Sequence, residues 1–330
     1  MLRRLLLGTL LAAGVAAPAR AAGIDAALPA ETESVVYVNV RQVIDSELVK
    51  KYALGQIKQM MAGNDEVQKQ LKDLGIDPLT DIDKVTFGSW GKDKDDMLAV
   101  GVIRGKFDPT KLMAAAEAQA KTNADKIAVV QEGDYRLVRI TVEKQPKPFF
   151  AAVADETTVI AGNDKKLVAK TLTGFKAKAK SALKKDLAAL LSKQDEKASM
   201  FAVSLVEGKE IKLPPLDNLP GGLDGKKVGE QLAKLKTVAI AVNLTADVSL
   251  AINMGMATAD AADDFGETVD KAVGAVKSLL PFVTGNKPNL KPLGEEVKKS
   301  LKSKVDKTDV TLVLKLTADA IGQAAGGGDD

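Results

Sequence analysis

The sequence predicts an α+β protein made of two related modules, each a mainly antiparallel sheet with helices packed on one face. Three observations support this prediction. Short strands with alternating large apolar and small side chains are joined by tight turns, as in antiparallel hairpins. Helical segments with an apolar stripe separate the hairpins. A single strand, a hairpin and a helix follow one another in the same order in both halves of the 330-residue chain.

The first residues predict export. Residues 1–21 combine a basic start, with Arg3 and Arg4, an apolar stretch and the small-residue motif A-R-A at 19–21. This pattern is typical of a cleavable signal peptide, and its apolar stretch is too short to span a bilayer. No later stretch is long and apolar enough either. We therefore expect cleavage near Ala21, a periplasmic or secreted location, and a mature chain without a transmembrane segment.

The first module is predicted over residues 22–180. Its strands are predicted at 34–40, at 84–90 with 97–104, around Gly133-Asp134 and around Asp155-Glu156. Its helices are predicted from Gln42, over a short stretch with Val67, Leu71 and Leu74, from Asp108-Pro109 to about Lys121, and after Asn163 or Asp164. Asp followed by Pro favours a helix start, because Asp caps backbone N–H groups and Pro fits the first turn.

The second module is predicted over residues 181–322, followed by a disordered Gly/Asp tail at 323–330. Its strands are predicted at 199–206, 237–244, 248–256 and 310–316, with a long helix from Thr258 to Pro281 and a Lys-rich helix after Pro292. The triplet Thr-Ala-Asp occurs at 245–247, 258–260 and 317–319. Thr and Asp oxygens accept unpaired backbone N–H groups at turns and helix starts, so the triplet predicts structural boundaries.

The strand at 237–244 alternates two kinds of side chain. One set is large and apolar: Val238, Ile240, Val242 and Leu244. The other set is small or polar: Ala239, Ala241 and Asn243. Successive residues of a strand point to opposite faces, so the pattern predicts a core face of large side chains and a small, mildly polar outer face.

Composition excludes several kinds of chemistry. The chain has no His and no Cys, which rules out Ser-His-Asp and Cys-His catalysis and imidazole or thiolate metal sites. Export would remove three arginines, and removing three from 47 leaves 44 basic residues, equal to the 44 acidic ones. A neutral chain with 4% aromatic residues is not typical of a nucleic-acid binder. We expect no cofactor, no metal and no nucleic-acid partner.

Several short motifs match catalytic or binding patterns only weakly. Ser181 and Lys184 have S-x-x-K spacing, and residues 220–227 are similar to a phosphate-binding loop without its first Gly and its hydroxyl. Two acidic clusters offer oxygens to calcium: Asp93, Asp95 and Asp96, and Asp260, Asp263, Asp264 and Glu267. Neither cluster has the spacing of a calcium loop. We interpret all of these as turns or helix starts, and we expect a non-enzymatic protein.

The junction between the modules is rich in lysine. Five of its lysines are candidates for contact with an anionic surface: Lys176, Lys178, Lys180, Lys184 and Lys185. No acidic residue lies among them, so they could attract lipid head groups or an envelope polymer. The alternative is a solvated connector whose apolar residues pack inward.

Three phrases of the chain are similar to those of known exported proteins. LPAETESVVYVNV, LGIDPLTDIDKVTFGSW and RGKFDPTKL resemble exported bacterial proteins of an uncharacterised, domain-of-unknown-function type. The resemblance covers most of residues 28–200 and more loosely the remainder. It implies an exported, two-module architecture and brings no active-site residues.

Three functions remain open from the sequence. The first is a periplasmic or secreted binding protein that uses a sheet face or the cleft between modules. The second is a carrier of an apolar small molecule, with Met60, Met61, Met254 and Met256 as lining residues. The third is a carboxylate hydrolase such as a glycosidase, which the single tryptophan, Trp90, disfavours because glycosidases use aromatic platforms.

Overall fold

The structure of the chain is a computed structural model. The structure describes these residues: 27–63, 71–72, 75–91, 96–142, 145–180, 182–208 and 222–326. Several predictions fall outside them: the signal peptide, most of the short helix with Val67 and Leu74, Ser181, most of the loop before 222, Asp93 and Asp95.

Within these residues the strands form one antiparallel sheet of twelve strands. Their order across the sheet is β11-β12-β10-β9-β8-β1-β2-β3-β7-β6-β5-β4. The strands of the first half are β1 (Ser34–Asn39), β2 (Ile82–Trp90), β3 (Leu98–Gly105), β4 (Ile127–Glu132), β5 (Tyr135–Ile140), β6 (Phe149–Asp155) and β7 (Thr158–Gly162). Those of the second half are β8 (Met200–Leu205), β9 (Leu235–Leu244), β10 (Asp247–Met256), β11 (Lys302–Asp306) and β12 (Asp309–Thr317).

The helices vary in length from one turn to 26 residues. Those of the first half are α1 (Val40–Asp45), α2 (Glu47–Tyr52), α3 (Leu54–Ala62), α4 (Pro78–Asp81), α5 (Pro109–Thr122) and α6 (Lys165–Lys176). Those of the second half are α7 (Lys185–Ser192), α8 (Gly225–Leu232), α9 (Ala259–Thr284), α10 (Lys291–Ser300) and α11 (Ala318–Ala325). Helix α11 thus ends beyond the predicted module end at 322.

The Thr-Ala-Asp triplets mark boundaries, as predicted. Thr258 Oγ1 accepts the Ala261 N–H at the start of α9, with an N–O distance of 3.1 Å. Thr317 caps α11 in the same way. In the third triplet Thr245 lies in the β9–β10 turn, where its Oγ1 accepts the Asp247 N–H. The predicted caps Asp108 and Asp164 also accept N–H groups at the starts of α5 and α6.

The helix predicted from Gln42 is broken into three short helices. Ser46 ends α1 and caps α2, because its Oγ accepts the Val49 N–H at 3.3 Å. Ala53 ends α2 in an irregular conformation. Strand β11 was not predicted, since its sequence KSKVD has only one apolar residue.

The two halves share one sheet and one main core. β1 pairs with β8 from Ser34 opposite Ser204 to Val38 opposite Met200, so the sheet continues across the predicted module boundary. The Tyr37 ring stacks on the Phe201 ring with centroids 4.8 Å apart. The main core cluster therefore combines residues of both halves, including Val35, Tyr37, Phe201 and Val203.

Helices lie on both faces of the sheet, whereas the sequence predicted helices on one face. The neighbouring residues Tyr135 and Arg136 of β5 point to opposite faces. The Tyr135 hydroxyl accepts a hydrogen bond from Thr173 of α6, whereas Arg136 forms an ion pair with Glu117 of α5. Helices α5 and α6 thus cover opposite faces of the same strands. We call the face that carries Tyr37 and α6 the core face, and the other the open face.

Candidate ligand-binding face

The central strands place a row of mainly apolar side chains on the open face. Directly opposed residues of antiparallel strands point to the same face, so the register defines the row. In order from β2 to β12 it comprises Phe87, Val36, Ala202, Ile240, Ile252 and Leu312. The row crosses six strands and is therefore roughly 24 Å long at the usual strand spacing.

A second apolar row runs beside the first. In the same order it comprises Val85, Val38, Met200, Val242, Leu250 and Leu314. All of these side chains are partly exposed. Together the two rows form a wide apolar floor.

The floor is exposed to solvent on the strands in the middle of the sheet. Val36, Phe87 and Ile240 keep 43%, 45% and 37% of their surface accessible. In β9 the small residue Ala239 is buried in the main core, whereas Ile240 beside it is exposed. The predicted core face of β9 is therefore wrong near the sheet centre. The leucines of α7 provide the bulk on the core face, so small residues suffice there.

A row of serines borders the apolar floor. Ser89, Ser34 and Ser204 are directly opposed on three neighbouring strands, two residues along from Phe87 and Val36. The Ser34 and Ser204 hydroxyl oxygens are 2.6 Å apart and share a hydrogen bond. Hydroxyl groups both donate and accept, so this border can bind a polar group of either kind.

Two helices cover the ends of the open face. Helix α5 contacts β4 and β6 at one end, and α9 contacts β10, β11 and β12 at the other. Phe265 of α9 packs with Val310 and Met256 in a second, smaller core. The apolar floor thus lies between two helical borders.

No known protein family, curated protein or solved structure matches the chain.

The predicted anionic-surface lysines lie along the connector from α6 to α7. Lys176 Nζ lies 5.0 Å from the centroid of the Tyr135 ring. Lys184 Nζ lies 2.6 Å from Glu33 Oε1, so its charge is paired within the protein. Lys178, Lys180 and Lys185 are exposed. Their contact with an anionic surface stays a prediction.

A cleft of about 510 Å³ lies beside α7 and is lined by charged side chains. Its basic groups pair with acidic ones: Lys184 with Glu33, Lys236 with Glu207 at 3.1 Å, and Lys193 with Asp309 at 3.9 Å. Asp186 also lines the cleft, so four acidic and three basic side chains face each other there, and the cleft has only a small excess of negative charge.

The four methionines considered as cavity residues do not come together. Met60 is exposed on α3, and Met61 lines a cavity of about 430 Å³ with Leu71 and Ile76. Met254 lies on the open face, partly buried, beside the second core. Met256 is 3% exposed and packs in that core, where it is paired with Leu235 of β9.

The carboxyl groups with displaced pKa values favour the ionised form. Hydrogen bonds from backbone N–H groups lower the pKa of Asp108 and Glu31. A hydrogen bond from the Lys315 side chain lowers the pKa of Asp247. A general acid needs a raised pKa, so these three groups are not suited to that role. Within the described part of the chain, no group of three or more acidic residues is placed to hold a metal ion.

One sign of the open face could be found in the sequence. The apolar alternation in β9 and β10 correctly placed Val238, Ile240 and Val242 on a common face. It did not show that this face lacks a helix at its centre, because cover depends on elements distant in sequence.

Proposed function

We propose that this protein is an exported, non-enzymatic binding protein that carries an apolar ligand on the open face of its sheet. The observation that carries the proposal is the exposure of Val36, Phe87 and Ile240 along a continuous apolar floor in the middle of the sheet. Contiguous apolar surfaces of this kind are rare on monomeric proteins and are typical of binding sites.

The serine border adds a chemical feature to the proposed ligand. An apolar body would lie on the floor, while a polar end would reach the hydroxyl groups of Ser34, Ser89 and Ser204. An amphiphile with a small polar end fits this arrangement. Helices α5 and α9 limit the length of the ligand across the sheet.

The proposal includes an origin by duplication of one module. From the centre outwards, one half has the order β1-β2-β3-β7-β6 and the other β8-β9-β10-β12-β11. In both halves the last hairpin folds back so that its second strand pairs with the end of the first hairpin. This equivalence supports two related modules, with β4 and β5 added to the first.

Native mass spectrometry of the mature chain, recovered from the envelope of the producing cell, tests export and ligand together. We expect the mass of a chain that begins near residue 22, together with an added mass that disappears on denaturation. A chain that retains its first residues and stays in the cytoplasm would contradict export.

Binding of the apolar fluorescent probe N-phenyl-1-naphthylamine tests the face itself. The double substitution Val36→Thr and Ile240→Thr adds two hydroxyl groups. The first exchange is nearly isosteric, and the second also shortens the side chain by one carbon. We expect the dissociation constant to rise about ten-fold, because each hydroxyl must lose water to contact the probe. The control is Val313→Thr, the same kind of exchange at a residue 40% exposed on the core face. No probe binding, or equal weakening by the control, would overturn the proposal.

A further inference from the structure

The two halves of α9 differ in burial along the same side of the helix. Phe265 is 5% exposed and packs in the second core. Val283 is 61% exposed, although eighteen residues at about 100° each place it on the same side as Phe265. The helix therefore leaves the sheet with its apolar side uncovered.

The uncovered side forms a compact apolar surface. Its residues, which we call the α9 tip, are Val276, Leu279, Phe282 and Val283. They lie within an arc of roughly 120° on the helix, and Phe282 is 82% exposed. The other side of the helix is occupied, because Thr284 packs closely against Gly294 of α10.

Every charged residue in the chain segment that carries the tip is positive, and Glu295 of α10 lies beside Pro281 and Thr284 on the occupied side of the helix. Between Asp270 and Glu295 the chain contains Lys271, Lys277, Lys287 and Lys291 and no acidic residue. None of these lysines pairs with an acidic side chain in the described part of the protein. This local excess is notable in a chain whose total charge is only +3.

We propose that the α9 tip docks on an anionic lipid bilayer. Exposed apolar side chains flanked by lysines match the bilayer interface, where apolar groups enter the acyl boundary and lysines meet phosphate groups. Phe282 and Val283 enter the interface, while Lys277, Lys287 and Lys291 contact the head groups. Docking is peripheral: no helix among the described residues is long and apolar enough to cross a membrane.

Docking at the tip does not depend on the proposed ligand. The tip belongs to the free half of α9, whereas the apolar floor belongs to the central strands. Loss of probe binding would leave the bilayer contact intact, and loss of bilayer contact would leave probe binding intact.

Vesicle flotation with the mature chain tests this proposal. We expect the protein to float with vesicles of phosphatidylglycerol and phosphatidylcholine, and to be released by 0.5 M salt. Phe282→Ser should lower the partition coefficient about ten-fold. Replacing Lys277, Lys287 and Lys291 by Gln should lower it about 100-fold, and vesicles of phosphatidylcholine alone should bind weakly.

Insertion can be measured directly with Phe282→Trp. We expect its fluorescence, after subtraction of the Trp90 signal of the wild-type chain, to shift to shorter wavelength and to be quenched by brominated lipids. One control is Met60→Ser, which changes an apolar residue on α3 that is 74% exposed. The other control replaces Lys176, Lys178 and Lys180 by Gln. Both should leave flotation unchanged.

Three results would overturn the proposal: absence of flotation by the wild-type chain, equal loss in Met60→Ser, or an unshifted Phe282→Trp spectrum on vesicles. Circular dichroism of each variant shows whether it is folded. If flotation is lost only when Lys176, Lys178 and Lys180 are replaced by Gln, the connector between α6 and α7 makes the bilayer contact and the tip does not.

Discussion

Tyr37 joins the two halves of the protein at the level of single side chains. It lies on β1, is almost fully buried, and stacks on Phe201 of β8. Its hydroxyl donates a hydrogen bond of 3.0 Å to the Glu196 carbonyl oxygen. Burial, together with the negative charges of Glu196 and Asp195, raises the pKa of Tyr37 to about 12. Both effects disfavour the phenolate.

This pKa predicts a loss of stability at high pH. In the unfolded chain Tyr37 titrates near pH 10, its ordinary value. Because the folded value is higher, its contribution to the free energy of unfolding is complete below pH 10 and is lost as pH rises towards 12. We expect the urea midpoint to fall over this interval, and to fall less in Tyr37→Phe.

Absorbance at 295 nm measures the same group directly. The chain has three tyrosines, so Tyr37→Phe should remove a third of the total change, and the part removed should be centred near pH 12. At neutral pH the variant should lose about 1 kcal/mol of stability with its hydrogen bond. If Tyr37→Phe still shows the full absorbance change near pH 12, this change does not come from Tyr37.

At the scale of elements, α9 and β11 depend on a close approach at one glycine. A Cβ at Gly266 would overlap Cγ2 of Val305, so any larger residue would push the helix from the strand. Gly274, two turns later, has no atom within 4 Å of such a Cβ. The two glycines of one helix therefore have different roles.

We expect Gly266→Ala to lower the free energy of unfolding by about 1–3 kcal/mol through overpacking. The double substitution Gly266→Ala with Val305→Ala should recover part of that loss, because it removes the overlapping methyl group. The matched control Gly274→Ala should instead stabilise the helix by about 0.5–1 kcal/mol. Urea denaturation measures the stability of all three variants. If Gly274→Ala is also destabilised, the loss comes from replacing a glycine in this helix and not from contact with Val305.

Helix boundaries were predictable at this scale because capping is local. Thr258, Thr317, Asp108 and Asp164 each accept an N–H group within three residues of themselves. The break at Ser46 was not predicted. The apolar spacing from Ile44 to Met61 is nearly helical throughout, and the capping role of Ser46 was overlooked.

For the whole molecule, the pairing of β1 with β8 makes the two halves one folding unit. The main core takes residues from both, so neither half can bury it alone. Separated halves would each expose the unpaired edge of a six-residue strand at the end of a sheet, which favours aggregation.

We therefore expect one cooperative unfolding transition. Trp90, in the first half, packs against the main core and reports on that half by fluorescence. Phe201→Ala, in the second half, should lower the free energy of unfolding by about 3–5 kcal/mol and shift the Trp90 transition together with the circular dichroism. The control Phe282→Ala, at an 82% exposed residue, should shift neither by more than about 0.5 kcal/mol. If Phe201→Ala leaves the unfolding midpoint reported by Trp90 fluorescence unchanged, the two modules unfold independently.

Local sequence patterns were sufficient to predict the α+β class, the positions of most strands and the capped starts of the long helices. These depend on residue propensity, side-chain alternation and capping, which act over a few neighbouring residues. The tertiary structure alone decided that the strands form one sheet, that helices cover both faces, and that Ile240 and Val283 are exposed. Burial depends on whether a distant element covers a surface, and the local pattern is the same for covered and uncovered apolar rows.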